Sequence, residues 1–378
     1  MSDSHSRKPF PGTKSGHMTK HSPDAYILTL GNQTGGVETW IRDFLHFTTG
    51  NYELLPRLAS ARRVFAVGGS EEKNSNSLPA GAKRPVAFFP LVRELVVVRK
   101  STTPLHAHNL KLALLALILA RPCPLVYFSH NNFGRQLSYQ NIFKRRLYFA
   151  LERMVLKKAA TVFTFSREDQ QRMRHHRQEV GLLEGSYNDL LFPANPTDDS
   201  ATRSGLLWVG RLSPVKNPLL ALRSFELLAQ HYPGTLTFVG DGPLRRVLEK
   251  SVRNSPVGER VSITGSLSPA EIRHRLHCSE ALLVTSLSEG PTPRNIYEAL
   301  ACGTPVVATR PGDPDMLIEK AGAGVLTENP DPESFFEAIK SCLVITKRTY
   351  DKAIFSNKAS VFFPAIEKHL HRQNPRAS

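Results

Sequence analysis

Cysteine is scarce and scattered in this chain. Four cysteines occur in 378 residues, Cys123, Cys278, Cys302 and Cys342, and none forms a Cys-x-x-Cys pair. This spacing argues against a zinc cluster, a redox motif or a disulfide-stapled module, and predicts reduced thiols. Long apolar runs are also lacking. The longest, Leu112 to Ala120 between Lys111 and Arg121, falls well short of the roughly 20 residues that span a bilayer. No apolar segment follows the first basic residues, so a cleaved signal peptide is not expected. Acidic residues are under-represented: 33 Asp+Glu face 49 Lys+Arg, a net charge of +16. Residues 1–195 hold 27 basic and 14 acidic side chains, whereas residues 196–378 hold 22 and 19. The first half is suited to an anionic partner. Its basic residues nevertheless lack the interleaved aromatic platforms of RNA readers, which speaks against a nucleic-acid-binding protein.

The chain does have enough length for two domains and, with 40% hydrophobic and 22% charged residues, the composition of a soluble globular protein. Residues 1–23 are rich in Ser, Lys, His, Pro and Gly and read as a disordered tail. Short apolar runs then alternate with amphipathic stretches. Ala25–Leu30 reads as a strand, Gly31–Gly36 as a glycine turn and Val37–Phe47 as a helix. Further strands are expected at Arg63–Val67, Val86–Phe89, Pro104–His108, Leu125–Phe128 and Thr161–Phe165. Beyond the loop Phe192–Ser200 a second series is expected at Leu206–Val209, Leu236–Val239, Val261–Thr264, Ala281–Thr285, Pro305–Ala308 and Gly324–Leu326. Such alternation predicts an α/β fold of two Rossmann-like, doubly wound halves. The expected units are residues 24–195, residues 196–345 and a helical segment over 346–378 that can cross back to the first domain. Ligands of these sheets sit beyond the carboxyl ends of the strands, so the loops there are the candidate sites.

Those loops are distinctive. Val209-Gly-Arg-Leu212 with Lys216, Val239-Gly-Asp-Gly-Pro243, Ile263-Thr-Gly265, and Ser288-Glu-Gly290 running into Tyr297-Glu-Ala-Leu-Ala-Cys-Gly303 together resemble the group 4 retaining glycosyltransferases (glycosyl transferases group 1) of GT-B fold. The first half resembles them more loosely through Thr34-Gly-Gly-Val-Glu38, His106-Ala-His108, Ser129-His130 and Phe165-Ser166. The resemblance implies transfer of a hexosyl or N-acetylhexosaminyl group from a UDP- or GDP-sugar in the cleft between two domains, with retention of configuration and no metal or other cofactor. It implies a glycan or lipid-linked acceptor on the first domain, in bacterial surface polysaccharide or glycolipid synthesis. A nucleotide-sugar epimerase or isomerase on the same fold is the alternative.

Particular residues then take expected roles. Arg211 and Lys216 are placed to meet the charge that develops on a diphosphate leaving group. Glu298, early in a helix starting near Asn295, is expected to accept from the ribose hydroxyls, and Glu289 to face the sugar. Gly210, Gly242, Gly265, Gly290, Pro291, Thr292, Pro293, Arg294 and Asn295 are expected around the donor. Gly35, Gly36 and His130 are expected to approach it from the other side. Glu289 and Glu298 are nine positions apart, one more than the family pattern, which places an extra residue within Pro291–Pro293. Asp241 is read as a turn residue. His106 and His108 are expected on opposite faces of their strand, and so as at most cleft-edge residues, with no metal pair.

Phe143–Lys158 reads as a helix with Leu147, Leu151, Met154 and Val155 on one side and six Lys/Arg elsewhere. Residues 83–177 hold 18 basic and 4 acidic side chains. A cytoplasmic protein is expected, resting peripherally on the inner face of an anionic membrane through its first domain.

Overall fold

The computed structural model describes residues 25–28, 36–50, 52–54, 88–99, 101–121, 123–130, 142–183, 185–193, 203–289, 293–312, 317–345 and 358–373. The tail, the expected strand Arg63–Val67, and Gly35, Gly290, Pro291 and Thr292 lie outside these residues.

Two parallel sheets organise the chain. The first has the order β2-β1-β3-β4-β5-β6, from β1 Ala25–Leu28, β2 Tyr52–Leu54, β3 Leu105–Ala107, β4 Leu125–Ser129, β5 Thr161–Thr164 and β6 Gly181–Leu182. The second has the order β12-β11-β10-β7-β8-β9, from β7 Leu206–Val209, β8 Leu236–Val239, β9 Val261–Ile263, β10 Ala281–Val284, β11 Val306–Thr309 and β12 Gly324–Thr327. Every pairing recorded between these strands is parallel, as in Leu206↔Leu236 and Leu282↔Val306. Central strands are buried on both faces, which is why LVYF and ALLV read as continuous apolar runs rather than alternating ones.

Helices cover both faces of each sheet. In the first domain, Leu105, Ala107, Leu125 and Tyr127 point toward α3 Leu110–Leu119 and α4 Ile142–Lys158. Ile27, Val126, Phe128 and Phe163 point toward α1 Gly36–Phe47. The second domain packs Phe225 of α6 Pro218–Leu228, Leu248 of α7 Arg245–Arg253 and Phe335 of α11 Pro332–Leu343 on one face. Leu276 of α8 Pro269–Cys278, Ile296 and Leu300 of α9 Arg294–Ala301 and Ile318 of α10 Leu317–Ala321 cover the other. The last helix, α12 Ala359–Gln373, returns to the first domain and sets Phe363 against Trp40, Phe44 and Phe47 of α1.

Three expectations are corrected. Phe88 and Phe89 do not end a strand; they open α2 Phe88–Val98. The apolar run is long enough to bury Leu95 and Val98 at helical spacing, and Pro90 falls in the first turn, where its missing N–H loses nothing. His106 and His108 do not face opposite ways. They are two residues apart, so they share a face, and both pack on Phe128 on the α1 side. In α4 the inward side chains are Glu152, Val155 and Leu156, whereas Leu147 is 61% and Met154 36% exposed. The half-buried Arg172 explains the rotation: buried Glu152 pairs with Arg172 of α5 Arg167–Arg174, which also pairs with buried Asp169 at 3.0 Å.

Candidate active site

In the second sheet the strand order reverses between β7 and β10, and the loops leaving these two strands meet there. Lys216, at the end of the short 3₁₀ helix Pro214–Lys216, forms an ion pair with Glu289. Ser286 Oγ donates to the same Glu289 oxygen at 2.5 Å. Backbone bonds hold the loops in register: Leu287 N–H donates to Val215 O at 2.8 Å, and Thr285 Oγ1 donates to Lys216 O at 2.9 Å. Trp208 Nε1–H, from β7, donates to Thr285 Oγ1 at 2.9 Å. Asn295 Nδ2 caps Val209 O at 3.1 Å. These are rigid supports for the cation and carboxylate at the switch point.

Arg211 stands beside this junction on the wall of a cleft of about 900 Å³, a volume typical of small-molecule sites. Gly210, Gly240, Asp241, Gly242, Pro243, Ser266 and Leu267 also line it. The loops behind it are stitched by main chain, with Gly210 N donating to Val239 O and Gly240 N to Gly265 O. Glycine is demanded here first by neighbouring backbone. A Cβ on Gly240, at φ +134°, would lie 1.9 Å from Gly210 O, and one on Gly242 2.4 Å from Leu212 O. Gly265 has φ +77°. Asp241 accepts from Gly242 N at 2.6 Å and pairs with Arg245 at 3.0 Å, a turn role.

Helix α9 begins at Arg294 after Pro293, which provides no side-chain cap. Glu298 lies in its second turn. Burial pushes its carboxyl above the usual range, Arg294 opposes this, and Asp43 adds to it. Arg294 reaches the first domain, placing Nη2 2.6 Å from Asp43 Oδ2, while its Nε is 3.9 Å from Glu298 Oε1.

In the first domain, His130 follows β4 and His108 follows β3. Their Nε2 and Nδ1 atoms lie 2.8 Å apart. His130 stacks on Phe165 with centroids 4.5 Å apart, and Trp40 abuts both histidines. Burial lowers His106 and His130 to about 3, and lowers His108 with further help from its two neighbours. The paired rings are therefore neutral near pH 7, and act as hydrogen-bonding groups rather than cations.

The structure thus brings together Lys216 with Glu289, and Arg211 with Gly210, Gly242 and the adjoining turns. Gly36 opens α1. Sequence reasoning missed Asp43, Asn188, Ser286 and Thr285. Asp43 carried one signal: it sits within the apolar face of α1 formed by Trp40, Ile41 and Phe44, where a lone carboxylate requires a partner.

Residues 199–353 match the family described as glycosyl transferases group 1, and residues 43–179 the one described as glycosyl transferase 4-like domain. Over 146 residues the chain is 25% identical to spore coat protein SA of Bacillus subtilis, covering 36% of this chain and 39% of that protein. Over 167 residues it is 28% identical to the D-inositol 3-phosphate glycosyltransferase of Segniliparus rotundus, covering 40% and 37%. The match spans less than two fifths of the length of either relative. In fold it is similar to the crystal structure of Anabaena HepE in complex with UDP and glucose, with a TM-score of 0.64 at 18% identity over 94% of this chain and 98% of that one.

Proposed function

We propose that this chain is a retaining glycosyltransferase of GT-B fold, a reading supported by the match of residues 199–353 to the glycosyl transferases group 1 family and of residues 43–179 to the glycosyl transferase 4-like domain. It moves a hexosyl or N-acetylhexosaminyl group from a nucleotide-sugar donor to a glycan or lipid-linked acceptor. The observation that carries this reading is the Lys216–Glu289 junction at the switch point of the second sheet, with Arg211 on the adjacent cleft wall. UDP is the favoured nucleotide, since HepE of the same fold holds UDP and glucose. GDP is the alternative.

In this reading Arg211 and Lys216 stabilise the charge that grows on the diphosphate as the glycosidic bond breaks, and do so most in the transition state. Glu298 accepts from the ribose hydroxyls. Glu289 orients a sugar hydroxyl and holds Lys216 in place, and His130 offers a neutral ring nitrogen from the opposite domain. The excess of basic residues in the first domain suits an anionic or membrane-borne acceptor, as in bacterial surface polysaccharide or glycolipid synthesis. No helix among the described residues is long and apolar enough to cross a membrane, so contact with a bilayer would be peripheral.

The test is a panel of UDP- and GDP-sugars scored by thermal shift and slow donor hydrolysis, followed by NMR of the anomeric configuration in the product. Stabilisation and hydrolysis by one donor, with retention in the product, are expected. An epimerised nucleotide sugar formed without acceptor would favour the isomerase instead, and no response to any nucleotide sugar would overturn the proposal.

A further inference from the structure

Three separate parts of the chain converge on one buried carboxylate. Asp43 of α1 is 4% exposed. Its Oδ1 accepts from Asn188 Nδ2 at 2.9 Å, on the segment leaving the first domain. Its Oδ2 lies 2.6 Å from Nη2 of Arg294, in the first turn of α9 in the second domain, a close ion pair without the alignment of a hydrogen bond. The next carboxylate along α9 is Glu298, four residues on, and there the guanidinium comes only to 3.9 Å. Arg294 Nη1 is buried without a partner, so the guanidinium is turned toward Asp43 even though one of its donors goes unused.

Within α9 alone the preference would be different. Residues four apart on a helix are neighbours, and an Arg and a Glu so placed attract each other. A cation in the first turn also has the wrong sign for the helix dipole, so closing on Glu298 would relieve it. Asp43, supplied by the other domain, outcompetes Glu298 because its contact is shorter and its second oxygen is already held by Asn188.

We propose that Asp43 is a positioning residue for Glu298: by drawing the Arg294 guanidinium across the domain boundary, it leaves the Glu298 carboxylate open to the ribose hydroxyls of the nucleotide. The proposal rests on the reading of Glu298 as the ribose acceptor. It also makes nucleotide affinity depend on domain closure. When the domains separate, Asp43 withdraws, Arg294 folds back onto Glu298, and the carboxylate that should receive the ribose is occupied by its own helix neighbour.

The mechanism has a signature that a purely structural Asp43 lacks. Loss of Asp43 harms binding through the released guanidinium, so removing the guanidinium as well must repair it. UDP and GDP are titrated calorimetrically on the full chain as wild type, Asp43→Asn, Arg294→Met, the double variant and Glu298→Gln, using whichever nucleotide binds the wild type more tightly. Asp43→Asn is expected to weaken binding about 10-fold and to raise the donor KM more than it lowers kcat. The double variant is expected to recover most of that loss. Asn188→Ala, which removes one anchor of Asp43 but keeps its charge, should show the same effect at smaller size and serves if Asp43→Asn does not fold. Wild-type affinity in Asp43→Asn, or a double variant as weak as Asp43→Asn, overturns the proposal. Unchanged affinity in Glu298→Gln, or no binding of either nucleotide to the wild type, overturns instead the ribose reading beneath it.

Discussion

Lys216 and Glu289 lie 73 positions apart in sequence and form an ion pair where the loops after β7 and β10 meet. The carboxylate side chain is only 9% exposed, the lysine 28%. A diphosphate approaching this lysine therefore meets a cation already held in position by an anion that is itself fixed through Ser286.

Lys216→Ala and Arg211→Ala are each expected to lower turnover by about 100-fold, as for removal of a group acting mainly in the transition state. Arg211 is exposed, so its loss should leave the melting temperature nearly unchanged. Lys216→Ala strands a mostly buried Glu289 and should also destabilise the fold. Adding Glu289→Gln should restore the melting temperature but not the turnover. Steady-state kinetics beside thermal melts check this, and wild-type turnover in both single variants would remove the phosphate role.

Glu298 should show opposed effects on stability and binding. Its carboxyl is raised by burial, so the folded protein holds this proton more tightly than the unfolded chain. Below the ordinary Glu range both states are protonated and nothing is lost. As pH rises through the raised folded value, ionisation inside the protein weakens the fold. Glu298→Gln should therefore melt above the wild type at pH 7, with the difference vanishing near pH 4, while its nucleotide affinity falls at pH 7. A pH series of thermal melts decides it; a difference that grows toward acid pH would show the burial argument to be wrong.

Glu367 of α12 fastens the end of the chain to the first domain. Its carboxylate accepts from Gly50 N at 2.8 Å, Thr49 N at 3.1 Å and Tyr52 OH at 2.8 Å. Glu367→Ala takes the shared acceptor from these donors and is expected to destabilise by about 2 to 4 kcal/mol, from roughly 1 to 3 kcal/mol per lost buried bond with partial rehydration. Urea unfolding should show a lower midpoint, and protease should cut α12 earlier than in the wild type. Glu367→Gln, which keeps one acceptor, should lose less.

Helix α4 presents Phe143, 74% exposed, with Ile142 and Leu147 beside exposed Lys144, Arg145 and Arg146. Apolar and basic groups on one exposed stretch suit an anionic lipid surface. Co-sedimentation with vesicles should rise with anionic lipid and fall with salt, as the Debye length drops from about 10 Å at 0.1 M to about 3 Å at 1 M. Replacing Lys144, Arg145 and Arg146 by Gln should weaken sedimentation without changing nucleotide affinity. Equal binding to neutral and anionic vesicles would assign the charge to solubility alone.

The second domain was legible because its signals are local. Leu206–Val209 and Leu236–Val239 were read to the residue from short apolar runs ended by glycine turns, since a parallel strand buried on both faces has nothing else to look like. The first domain was less so. The strand Tyr52–Leu54 is only three residues long and Gly181–Leu182 only two, too short to show a period. Phe88 and Phe89 carry strand propensity, yet the apolar spacing that follows them builds a helix.

Arg211, Lys216 and Glu289, with Glu298 on the helix that follows, stand out in the sequence itself, because their types and their places after strands are written in the chain order. What those side chains face was decided by tertiary structure. Nothing local joins Lys216 to Glu289; the reversal of strand order between β7 and β10 does. Nor does anything local join Arg294 to the buried Asp43 of the other domain, since an ion pair between distant segments exists only once both sheets have folded and met.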